Sequence, residues 1–172
     1  MRDTRTVALA LLPFLSAMAV SSCTTCSCLP VAVVDDRPAG SKAAVVDVYA
    51  VSTPQERERA RTTPVDEYFR TLGLPGRPDK VWRAALPAAE RPVLLESDAA
   101  YRAWKQGGAV ALVALTPAPA RSMADRADPR RLVFSLCAAD HPSGTRSLAI
   151  HLTDGGLSLV PSAEKLKRKP KH

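Results

Sequence analysis

A mainly β domain, a small antiparallel two-sheet β-sandwich with short inserted helices, is the fold this sequence predicts. Short runs rich in Val, Ile and Leu recur at strand length through the 172 residues, and turns rich in Pro and Gly separate them. The helical patterns are brief and lie near the start of the folded part. Strands in series with a few short helices favour stacked sheets over a helical bundle.

The elements follow in order. Residues 24–42, with Pro30, Pro38 and Gly40, read as a tether that stands the domain off, with residues 31–34 at most an edge strand. Residues 43–51 (AAVVDVYAV) are dense in β-branched side chains and predict a strand. Thr53-Pro54-Gln55-Glu56 is a capping box: Thr53 caps, Pro54 takes the first helical position where its missing N–H costs nothing, and Glu56 reaches back. The helix it opens, to about Arg61, carries Glu56, Arg57, Glu58, Arg59 and Arg61, so it is expected to face solvent. Thr63-Pro64 predicts a second start. Its helix runs to Leu72, stops at Gly73, and aligns Val65, Tyr68, Phe69 and Leu72 in one apolar stripe.

Residues 81–86 (VWRAAL) suit a short strand, and Ser97 or Asp98 caps a short helix with Tyr101 and Trp104 that Gly107-Gly108 ends. Residues 109–116 are almost continuously apolar, the mark of a central strand covered on both faces. Residues 131–138 put Leu132, Phe134 and Leu136 on one face, and residues 146–152 do the same with Leu148, Ile150 and Leu152. Thr153-Asp154-Gly155-Gly156 then predicts a tight hairpin with positive φ at both central residues, leading into residues 157–160. The expected division is a leader over 1–22, a tether over 23–42, the sandwich over 43–162, and a basic, solvated tail over 163–172.

The leader has three zones. Arg2 and Arg5 form a basic start, and residues 7–20 (VALALLPFLSAMAV) form an apolar run too short for an ordinary membrane span and broken by Pro13. Val20-Ser21-Ser22-Cys23 then resembles the bacterial lipobox, a branched aliphatic residue and two small ones before the cysteine that receives diacylglycerol. The resemblance implies a lipoprotein signal peptide cut before Cys23, with lipid, palmitate included, on that cysteine. Burial of acyl chains is worth roughly 0.8 kcal/mol per methylene, so two or three chains make the attachment permanent. Thr24 stands where an Asp would favour inner-membrane retention, which implies the periplasmic face of the outer membrane.

Charge narrows the partners. More than half of the formal +7 belongs to the tail, where Lys165, Lys167, Arg168, Lys169 and Lys171 face Glu164 alone. The body is close to neutral, and nucleic acid is not an expected partner. Cys23, Cys26 and Cys28 resemble a metal or redox cluster in spacing, but lipid takes Cys23 out of that count and no His lies near enough to complete a site. No metal and no cofactor is expected. In an oxidising compartment Cys137 can pair with Cys26 or Cys28, and the sequence leaves that choice open. His151 alternates outward from an apolar strand face, while Asp140, His141 and Ser143 sit in one turn, where three catalytic roles cannot readily converge. No residue is assigned a catalytic role, and no enzyme is expected.

The lipobox, the strand VVDVYAV and the following VDEYFR together resemble the outer-membrane lipoprotein family of type VI secretion systems. Val48-Tyr49-Ala50-Val51 matches the Tyr-containing end of that family's first strand, and Asp66-Glu67-Tyr68-Phe69 matches its acidic-aromatic segment. The apolar strand at 109–115 and the closing hairpin at 148–160 fit in order. Lys80-Val81-Trp82-Arg83 looks like the family's Arg-Trp-Arg stretch but lies before the apolar strand instead of after it. The resemblance implies a two-sheet sandwich that docks the periplasmic end of an inner-membrane secretion component and ties it to the outer membrane. Partner contacts then fall on the loop after the first strand, residues 52–63, with Glu56, Arg57, Glu58, Arg59 and Arg61. The alternatives are an unrelated envelope lipoprotein with a generic binding or structural role, and a periplasmic hydrolase or inhibitor.

Overall fold

The computed structural model describes residues 27–71, 81–118 and 128–167. Two four-stranded sheets make the sandwich. The first has the order β4-β1-β7-β8, from β1 (Val31–Asp35), β4 (Val93–Leu94), β7 (Ser147–Thr153) and β8 (Gly156–Ser162). The second has the order β3-β2-β5-β6, from β2 (Ala44–Val51), β3 (Val81–Leu86), β5 (Ala111–Leu115) and β6 (Arg131–Phe134). Helices α1 (Pro54–Thr62) and α2 (Val65–Arg70) follow β2, and α3 (Ala99–Gln106) precedes β5.

The mainly β sandwich agrees with the sequence, and the period-2 pattern explains its core. Val46 and Val48 of β2, Leu112 and Ala114 of β5, and Leu148, Ile150 and Leu152 of β7 belong to one buried cluster between the sheets. Tyr101 and Trp104 of α3 are buried in the same cluster. Each such side chain, fully buried, stabilises the fold by about 1.5–3 kcal/mol. On the other face of the second sheet, Tyr49, Val51, Ala111, Val113 and Leu115 form a second cluster with Ala60, Val65 and Tyr68 of the helices. Every residue of β5 is therefore buried, and its unbroken apolar run follows from cover on both faces.

The expected tether is overturned. Val31–Asp35 is an interior strand between β4 and β7, and Val31, Ala32 and Val33 are wholly buried. Its pairing with β7 is parallel, the one parallel pair among the described strands. A strand of five residues, flanked by Pro30 and Pro38, shows too little pattern to declare its place, and the neighbour that buries it comes from the far end of the chain. The folded part begins earlier still. Leu29 N–H donates to the Leu136 carbonyl and Ala138 N–H to that of Ser27, making Cys28 and Cys137 bridge partners. Cys137 is disulfide-bonded, and Cys28 lies buried beside it.

Other expectations shift locally. The Thr53 capping box forms as read, with Glu56 N–H donating to Thr53 Oγ1 and Glu56 Oε2 accepting from Thr53 N–H. Thr63 does not cap α2, because its hydroxyl turns back to the Arg59 carbonyl and closes α1 instead. α2 ends at Arg70, and Leu72 and Gly73 lie outside the described residues. The hairpin after β7 forms, but its positive φ falls on Gly156 (+114°) and on no Asp. There the backbone presses on Pro129, whose carbonyl oxygen lies 2.3 Å from where a Cβ would stand. β8 runs on to Ser162, two residues beyond the expectation.

Candidate functional site: a charged helix clamped to the second sheet

The helical insert presents a dense run of exposed charge to solvent. In α1 Ala60 alone is buried, and Glu56, Arg57, Glu58, Arg59 and Arg61 are all exposed. Their single described ion pair, Arg61 to Glu58 at 3.8 Å, is long and solvated, so it leaves the surface charges available.

Two clamps hold this insert. The first is built on Asp47, which points outward from β2 beneath α2 and is wholly buried. Arg83 of β3, its direct neighbour in register, donates from Nε and Nη2 at 2.6 Å each in a bidentate fork, and the Tyr68 hydroxyl of α2 donates at 3.2 Å. The paired carboxylate raises the Arg83 pKa. Tyr68 also stacks on Tyr49 of β2 at 5.6 Å and meets Phe69 in a T-shaped pair at 4.9 Å. Burial, reinforced by Tyr68, pushes the Tyr49 phenol up to about 12, so Tyr49 stays neutral at any ordinary pH.

The second clamp sits at the start of α2. Arg130 donates to Asp66 at 2.7 Å and to Asp128 at 2.9 Å, while Arg131 donates to the Thr63 carbonyl at 2.7 Å. Hydrogen bonds from Arg130 hold the Asp66 carboxyl below its ordinary value of 3.8. Burial raises Asp128, yet the bonds from Arg130 outweigh it and the net shift is also downward. A carboxylate with a lowered folded pKa stabilises the fold above its unfolded value and ceases to as pH falls through the folded one. Melting followed from about pH 5 down to pH 2 is expected to show this loss beginning below pH 3.8, with Asp66→Asn giving a flatter profile. Identical profiles would show that the clamp does not report on stability.

Sequence reading found α1 and missed the clamps. Its signal was present in Asp47, a lone acid inside a β-branched run, since a carboxylate in a strand covered on both faces must be partnered. The histidines take positions of their own. His141 Nε2 lies 2.8 Å from the Ser135 carbonyl and braces its loop, and His151, half-buried, sets Nδ1 2.5 Å from Asp36 Oδ2. Among the described residues no cluster of His, Cys, Asp and Glu could hold a metal, and no helix is long and apolar enough to cross a membrane. Cys23 and Cys26 lie outside the described residues.

Fold and site together define a two-sheet sandwich that carries a charged helical insert on one outer face. No protein-family model matches the chain, and no curated protein does. It is similar to Serratia marcescens Lip, a membrane-bound component of the type VI secretion system, at 13% identity and a TM-score of 0.43, over 76% of this chain and 96% of that one. It is also similar to the type VI secretion lipoprotein TssJ1 of Pseudomonas aeruginosa, at 13% identity and a TM-score of 0.42, over 79% of this chain and 98% of that one.

Proposed function

We propose that the chain is a lipoprotein of the outer membrane, facing the periplasm, that docks an inner-membrane component of a type VI-like secretion complex and tethers it there. One observation carries the reading. The two sequence blocks that resemble the family, residues 45–51 and 65–70, meet in the fold through the Tyr49–Tyr68 stack and the Asp47 clamp, and between them they hold out α1. A mixed-charge helix on a braced surface suits a partner of complementary pattern, because reversed charges then meet like charges.

The test is co-purification with the inner-membrane component from solubilised envelopes. Reversing Arg57, Glu58, Arg59 and Arg61 together, with Glu56 kept because it holds the Thr53 cap, is expected to abolish capture while stability changes by no more than about 0.5 kcal/mol per site. Undiminished capture would remove α1 from the docking surface. Cys23→Ser is expected to lose palmitate labelling and membrane attachment, and labelling that persists would overturn the anchor.

A further inference from the structure

We propose that the free edge of β3 docks an extended segment of a protein partner, which adds to the second sheet as a further antiparallel strand and carries an acidic residue between two apolar ones. Strand addition at this edge is independent of the charges on α1 and of lipid on Cys23.

The outer strands of the two sheets differ in how their edges are closed. β4 is two residues long and follows Pro92. β8 contains Pro161, which has no N–H, and its Leu157 N–H already donates to the Pro129 carbonyl. β6 has four residues and packs beside β8. β3, by contrast, has six residues, VWRAAL, with no proline or lysine to guard it. Among the described residues it pairs with β2 alone.

Strand register identifies the open backbone groups. Thr116 N–H donates to the Arg130 carbonyl, so Ala114 and Leu112 of β5 bond toward β6 while Leu115 and Val113 bond toward β2. By the same alternation Asp47 and Tyr49 turn toward β5, and Val46 and Val48 turn toward β3, where Ala84 and Trp82 complete the ladder. The N–H and C=O groups of Val81, Arg83 and Ala85 therefore point out of the sheet, with no backbone partner among the described residues.

Side chains beside this edge select the occupant. Arg83 does not fend off a neighbouring strand, because Nε and Nη2 are turned back over β2 to Asp47. The side chain is still 44% exposed, and Nη1 has no partner among the described residues. A glutamate directly opposite Arg83 on an added strand brings a carboxylate to that donor, and opposite charges so placed stabilise a strand pair. On the inner face Trp82 is half-buried against the core and Ala84 is buried, so apolar residues on either side of the glutamate extend the core across the edge. Ala85 is exposed and small, which leaves the backbone approachable. Main-chain bonds then supply affinity and the alternating side chains supply specificity. A second copy fits less well, since the antiparallel register that uses all of β3 sets Arg83 against its own counterpart, like charge on like.

The experiment uses the full chain in detergent micelles and a fluorescein-labelled peptide amide, Ser-Thr-Val-Glu-Val-Thr-Ser, with anisotropy as the readout. Saturable binding is expected, and none up to about 1 mM would overturn the proposal. A methyl group on the Glu amide, which faces β3 in an antiparallel pair, should abolish binding. One on the first Val amide, which faces away, should change it less than about threefold. Any other pattern from these two peptides would overturn antiparallel addition. Lysine in place of the Glu should weaken binding at least about fivefold, and equal affinity would overturn the acidic requirement. Ala85→Pro removes an outward donor and no bond to β2, a change that edge strands accept, so it should unfold in urea like the wild type yet bind at least about fivefold more weakly. Unchanged affinity in the folded variant would place the peptide elsewhere and overturn the proposal, and the methylated peptides decide the matter whether or not that variant folds. A chain that sediments as a dimer, and that the peptide dissociates, would assign the edge to a second copy and equally overturn it.

Discussion

Arg83→Ala is expected to destabilise the domain by about 3 kcal/mol, the low end of what removal of one partner from a buried ion pair costs. The low end applies because the two partners differ in exposure: the Arg83 side chain is 44% exposed and that of Asp47 0%. Loss of the arginine leaves a carboxylate that water reaches poorly, with the Tyr68 hydroxyl still donating to it. Loss of the carboxylate frees an arginine that solvent hydrates, so Asp47→Asn should cost less. The double variant should then be more stable than the sum of the single losses predicts, since the coupling between contacting groups is removed once and not twice. Urea unfolding of all three variants gives the cycle. A loss below about 1 kcal/mol for Arg83→Ala would place the pair with surface salt bridges and deny it the clamping role.

What was legible in the sequence follows from how far each signal reaches. The capping box at Thr53 and Glu56 is written within four residues, and it forms as written. The alternation of Leu148, Ile150 and Leu152 depends only on the strand they share, and it identifies the core face. The clamps depend on partners far apart in the chain: Asp47 meets Arg83 and Tyr68, and Arg130 meets Asp66. No local pattern encodes such pairings, although Asp47 announced that one was needed. Phe69 shows the converse. Its helical stripe placed it with the core, but α2 is short and lies on an outer face, so Phe69 is only half-buried while Val65 and Tyr68 are buried. Truncating Phe69 should accordingly cost less than the roughly 3–5 kcal/mol of a fully buried phenylalanine.

Val33→Asp distinguishes a tether from a core strand by the largest margin. In a solvated linker an added carboxylate would be welcome, and the change would be silent to within about 0.5 kcal/mol. In this fold Val33 is wholly buried, lies opposite Ile150 across the parallel ladder, and belongs to the cluster between the sheets. An aspartate there removes apolar packing and places an unpaired charge among aliphatic side chains, so the loss is expected to exceed about 4 kcal/mol. That is a large fraction of the stability of an ordinary domain. The variant should be recovered unfolded or in the insoluble fraction, with its near-ultraviolet circular dichroism lost. Val34→Asp is the matched control, because the next residue along the strand points to the opposite face and is partly exposed. It should fold. If Val33→Asp melts like the wild type, residues 31–35 do not form an interior strand.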